Sequence, residues 1–149
     1  MTALLLYSLP PEAVENRTGH LCVCTLNGAI IAVQKDYEEL VVITKTYDLI
    51  VWSCRHTGKF PRNHRFVLGE RIERNLYDLL ETLIRAKYTR QRQELLEQAN
   101  LVLEILRFQM RLARDLQCLR VDSYGFVTKT IEEIGKLVGG WLRSSGGKA

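Results

Sequence analysis

Three stretches of the chain repeat apolar residues at intervals of three and four. Leu68, Ile72, Leu76, Leu79, Leu83 and Ala86 form one row. Leu96, Ala99, Leu103, Leu106, Met110 and Ala113 form a second, and Tyr124, Val127, Ile131, Ile134, Val138 and Trp141 a third. That spacing keeps one side of a 3.6-residue helix apolar. It predicts helices over about 63–87, over about 90–117, and from a cap at Asp122 or Ser123 onward. A fourth row mixes apolar and semi-apolar residues: Tyr37, Leu40, Thr44, Tyr47, Val51 and Cys54. It predicts a helix over 36–57. Gly58 follows, where a helix tends to end, and Pro61 cannot continue one.

Four amphipathic helices of about 20 residues with short connections predict an all-α fold. The expected architecture is an antiparallel up-down-up-down four-helix bundle over 36–145, with a frayed polar tail at 146–149. Two long helical hairpins contributed by different chains would satisfy the same pattern. Residues 1–35 form an N-terminal extension outside it. The stretch 21-LCVCTLNGAIIAV-33 places β-branched residues on both sides of Asn27-Gly28, which predicts a small β-hairpin. A lone hairpin is marginal in water, so it would have to pack on the bundle or pair with another chain.

Length and composition are those of one ordinary globular domain: 149 residues, 46% hydrophobic and 26% charged. The formal charge of +4 is too mild to imply nucleic acid on its own. Its distribution says more. Residues 1–54 hold three Lys/Arg against six Asp/Glu, whereas 55–120 hold fourteen against eight. Twelve of those fourteen are Arg, whose planar fork engages phosphate or carboxylate through two bonds at once. No apolar run approaches the ~20 residues of a membrane span, and the start lacks a signal peptide's basic n-region. Those features predict a cytoplasmic protein. Cys22, Cys24, Cys54 and Cys118 are then expected as reduced thiols.

Candidate chemistry is thin. There is no P-loop, no dinucleotide fingerprint and no H-E-x-x-H motif. His20, Cys22 and Cys24 do not have the spacing of a structural zinc site, and alternate residues of a strand would simply share one face. Cys54 and Cys118 read as small apolar residues. No nucleophile, base and orienting group converge. The reading is therefore of a non-enzyme with no cofactor and no metal.

The basic residues are the stronger feature. Arg55, Lys59, Arg62, Arg65, Arg71 and Arg74 crowd the corner after the first helix, interleaved with Phe60 and Phe66. Phe60 and Phe66 are expected to clamp the two helices there. Arg107, Arg111 and Arg114 make one stripe on the third helix, with Asp115 the nearby carboxylate. Arg71, Arg74 and Arg85 lie along a similar face of the second. A solvated face is the ordinary outcome of such runs, and Glu70/Arg74 and Glu81/Arg85 are i,i+4 pairs that fit it. The competing reading is a surface for a polyanion or an acidic partner.

The stretches 59-KFPRNHRFVLGERIE-73, 103-LEILRFQMRLARDL-116 and 133-EIGKLVGGWLR-143 together resemble the accessory variability determinant (Avd) proteins of diversity-generating retroelements. Each motif is weak, but their order and spacing cover about 70% of the chain. The four-helix-bundle proteins encoded in ribosomal RNA intervening sequences share the same kind of corner and the L-A-R-D-L ending. The Avd resemblance implies a four-helix bundle that assembles as a homopentamer and has no catalytic centre. It also implies association with the element's reverse transcriptase and with nucleic acid, RNA and DNA, during mutagenic retrohoming. Arg62, Arg107 and Arg111 coincide with motif positions. Lys59, Arg65, Arg71, Arg74, Arg85 and Arg114 join the expected binding set from the residue pattern alone. Gly135, Gly139 and Gly140 would leave a flat strip for a neighbouring helix. The alternative is a structural protein of the intervening-sequence type whose basic face binds an acidic protein.

Overall fold

The computed structural model describes residues 29–146, with side chains from 41 to 145. The chain divides into two compact units, Met1–Gln34 and Lys35–Ala149. Four long helices are present: α1 (Ala29–Thr57), α2 (Glu70–Tyr88), α3 (Gln93–Asp115) and α4 (Val121–Gly146). A turn of α-helix (Arg62–His64) and a π-helical turn (Arg65–Gly69) lead into α2. No strand occurs among the described residues.

Residues 29–33, expected as the second strand of a hairpin, are instead helical, and α1 begins at Ala29 rather than near 36. A short apolar run reads equally as strand or buried helix by periodicity alone. Extending a helix already nucleated by the following residues costs less than starting a new element. The other half of the expected hairpin lies outside the described residues, as do His20, Cys22 and Cys24. The helix α4 also starts one residue before its expected cap. Asp122 sits within its first turn, and the Tyr124 N–H donates to the Arg120 carbonyl at 2.9 Å.

The three clean rows are buried as their spacing requires. All six named positions of α2 with its lead-in turn, all six of α3, and five of six on α4 belong to the core; Tyr124 is half-buried. The row expected on α1 is in the wrong register. Tyr47 is 58% exposed, and the buried face runs through Val42, Thr46, Leu49, Ile50, Ser53 and Thr57. Three of those six carry hydroxyls. Thr46 donates to the Val42 carbonyl at 2.8 Å and Thr57 to the Ser53 carbonyl at 3.0 Å. The two threonine hydroxyls are satisfied within their own helix and can be buried, whereas the Ser53 Oγ is buried with no partner among the described residues; polarity therefore misleads a count of apolar positions.

Helix α2 packs on α3 and α3 on α4. Asn75 of α2 donates to Gln109 of α3 at 3.0 Å. The helix α1 closes the ring on both sides. Its Thr57 hydroxyl bonds Glu73 of α2, and Lys45 reaches Glu133 of α4 at 2.8 Å. Trp52 stacks on His56 at 3.8 Å and meets Phe126 of α4 at 5.4 Å. The arrangement is an antiparallel four-helix bundle, all-α throughout the described residues.

Lys45 holds the Glu133 carboxyl below the usual carboxylate range, chiefly through their hydrogen bond. A depressed carboxylate stabilises the fold above its unfolded value and loses that contribution as pH falls through the folded one. Both side chains are about 40% exposed, so the effect is small. Lys45→Met is expected to flatten the acid side of the stability–pH profile, as measured by urea midpoints below the normal carboxylate range.

The helix α3 ends in a Schellman turn. Gln117 donates to the Arg114 carbonyl at 2.9 Å, and Cys118 to the Ala113 carbonyl at 2.9 Å. That places Gln117 at φ 57°, where a Cβ is unfavourable. Gln117→Gly should raise stability by about 0.5–1 kcal/mol, read as a higher melting temperature, because glycine alone escapes the clash.

Candidate nucleic-acid and partner interface

The corner between α1 and α2 is built by sequence order. Phe60 donates its N–H to Thr57 at 3.0 Å, Pro61 stands extended at φ −52° and ψ 145°, and His64 and Arg65 donate back to the Pro61 carbonyl. Phe60 is buried at 5% exposure and anchors the turn. Phe66, expected to join that clamp, does not: it is 63% exposed, and its neighbour Val67 is 75% exposed. A π-helical turn carries one residue more than an α-turn, which shifts the register of side chains. Leu68 and Gly69 face the core, and Phe66 and Val67 are left outside.

Antiparallel topology puts the end of α1, the start of α2, the end of α3 and the start of α4 together. Lys59, Arg62, Arg65, Arg71 and Arg74 therefore share one end of the bundle with Arg111 and Arg114. Arg85 is not among them. It lies near the other end, about 21 Å along α2 from Arg71 at 1.5 Å per residue. Arg107 is set back about 12 Å from the end of α3 by the same rise.

Ion pairing divides the set further. Arg74 bonds Glu70 at 2.7 Å and Arg85 bonds Glu81 at 2.5 Å, as their spacing predicted. The α3 stripe, expected to lack neutralising carboxylates except Asp115, is partly compensated, three arginines sharing two carboxylates. Arg107 pairs with Glu104 three residues back, while Arg114 and Arg111 meet Asp115 at 2.6 and 3.9 Å. Arg114 also lies 4.7 Å from the Tyr124 ring centroid, and the Arg107 guanidinium covers Gly135. These two side chains are only about one-third exposed. By contrast, Arg55, Lys59, Arg62, Arg65 and Arg71 are exposed and have no ion-pair partner among the described residues. Within the expected binding set, the cations without an ion pair are those of the corner; Arg90, Lys129, Lys136 and Arg143 are likewise exposed and unpaired among the described residues, but are spread along the bundle.

The ends of the Arg107 and Arg143 side chains approach Gly135 and Gly139, and Gly140 has nothing near its face; an open hollow lined by Leu101, Leu103, Arg107, Gly135 and Gly139 remains beside them. A different surface was missed in the sequence. Leu101, Ile105, Phe108 and Leu112 on α3 are 41–68% exposed. Their 4-3-4 spacing forms a second apolar row on the side of α3 away from its buried row. The signal was legible: α3 carries two rows of helical period, and one core can bury only one of them.

Burial pushes the Cys118 thiol upward, away from the thiolate that nucleophilic chemistry needs. Among the described residues no group of three or more His, Cys, Asp or Glu lies where it could hold a metal ion. No helix there is long and apolar enough to cross a membrane.

These features define the class: a four-helix bundle with an arginine-rich corner and an exposed apolar row on α3. Within that class, residues 40–145 match the model of the bAvd-like family, and the chain belongs to that family. No curated protein matches it at a significant level.

Proposed function

We propose that this protein is a non-enzymatic accessory factor of a diversity-generating retroelement. It binds the element's reverse transcriptase and nucleic acid, template RNA and cDNA, through its basic end and thereby supports mutagenic retrohoming in the cytoplasm. Membership of the bAvd-like family supports the setting. The observation that carries the binding role is the cluster of uncompensated cations at Arg55, Lys59, Arg62, Arg65 and Arg71. Exposed arginines without carboxylate partners release phosphate counterions on binding, so affinity is nearly independent of sequence and falls steeply with salt.

The same reading has the chain acting as a homo-oligomer, a pentamer by family likeness. The outer row of α3 supports it, since a row of this length left in water is costly and rare in a monomer. A ring multiplies each weak phosphate contact by the number of subunits. Three measurements on the purified protein test the proposal: fluorescence anisotropy with RNA and DNA of unrelated sequences across a salt series, capture of the reverse transcriptase, and light scattering. Equal, salt-sensitive binding of both nucleic acids, a stable polymerase complex and a multimeric mass are expected. A monomer of 17.2 kDa at micromolar concentration that retains neither ligand overturns the proposal.

A further inference from the structure

Phe66 is the odd residue at the basic corner. Its exposure is 63%, yet the turn already has a buried anchor in Phe60. Arg62 begins the short helical turn that immediately precedes the π-helical turn carrying Phe66. The Arg65 guanidinium lies 5.6 Å from its ring centroid. Arg62, Arg65 and Arg71 are all exposed and without ion pairs among the described residues. The π-helical turn holds this ring outward. An aromatic face in water, set among exposed cations that no described carboxylate pairs, suits a ligand with alternating flat apolar surfaces and negative charges.

We propose that the corner is a stacking site for unpaired nucleobases, with Phe66 as the platform and Arg62 and Arg65 on the flanking phosphates. The inference rests on the nucleic-acid reading of this surface and adds the form of the ligand: single-stranded RNA or DNA in preference to duplex. A duplex offers phosphates to the same arginines, but its bases are stacked on each other and present only edges in the grooves. A single strand can turn a base face onto the ring, with little regard to sequence because every base has such a face. The Arg65 side chain can extend the platform through its own planar face.

The test uses the full chain and two probes, a uridine oligonucleotide and a duplex RNA of equal length, in anisotropy titrations at one salt concentration. Phe66→Ala should weaken single-strand binding about tenfold, the scale of one lost base stack. Duplex affinity and the salt slope should hold, because no charge changes. Phe66→Trp should restore single-strand affinity, and its indole emission should be quenched by the uridine oligonucleotide but not by the duplex. Helicity by circular dichroism should be unaltered, since the side chain lies outside the core. Equal loss for both probes, no loss for either, or a loss confined to polymerase capture or to oligomer mass would overturn the stacking site and leave nucleic-acid binding standing. Failure of the unaltered protein to bind either probe would bring down both.

Discussion

Replacing Arg62 and Arg65 together by glutamate is expected to weaken nucleic-acid binding by about a hundredfold at low salt and to flatten the salt dependence. Two phosphate contacts contribute a slope of about −1.4 on a single strand, or about −1.8 on duplex DNA, in log affinity against log salt, and their removal takes that portion away. Charge reversal adds repulsion that the same salt would screen. The informative control is Arg107→Glu with Arg111→Glu, an identical change in net charge. Those side chains already lie against Glu104 and Asp115, so they have less free charge to lose. A smaller effect is expected there, with the helical spectrum intact in both variants. An equal loss from the two pairs would mean that binding follows total charge and not the corner. A larger loss from the α3 pair would return the site to that helix.

The second large effect concerns the core. Leu103→Ala is expected to cost about 2–5 kcal/mol, by lost transfer energy and by the cavity left behind. Leu103 is 1% exposed and lies beside Gly135 of α4. On a domain stable by about 5–15 kcal/mol the loss would show as a large drop in the urea midpoint with little change in slope. Leu101, two residues earlier, is 61% exposed. Leu101→Ala should alter the stability of a single chain by no more than about 0.5 kcal/mol. If another copy covers the outer row, the same change should lower the assembly's mass in light scattering at dilute concentration. Comparable destabilisation at both positions would show that the outer row is buried within the chain itself.

The contrast between these two leucines marks how far the sequence reaches. A row of six apolar residues at 3–4 spacing marks one side of each of α2, α3 and α4 for burial, and on α3 it outweighs the second row of four. Those rows, the three helices that carry them and the bundle they imply were therefore readable from residue order. So was the turn, because Gly58 and Pro61 end α1 by local chemistry that no tertiary contact has to supply. Pairs within one helix, such as Glu70 with Arg74, were readable for the same reason.

What depended on the folded bundle was each choice that local chemistry leaves degenerate. Apolar residues on several sides of α1 allow more than one register. Packing against α2 and α4 selected the one containing Thr46, Ser53 and Thr57, whose hydroxyls a polarity count discards. Phe60 and Phe66 are alike in type and six residues apart, but the π-helical turn buries one and exposes the other. The arginines of the corner and of α3 look equivalent as letters. The pairs of Arg107 with Glu104 and of Arg111 with Asp115 lie within α3 and follow from spacing, but the engagement of Glu73 by Thr57 of α1 is a contact between helices. Residue order alone set the helices, their buried rows and the place where they turn. Only the packed structure decided the register of α1, the engagement of Glu73 by Thr57, and which of the two corner rings is buried and which is left beside the arginines.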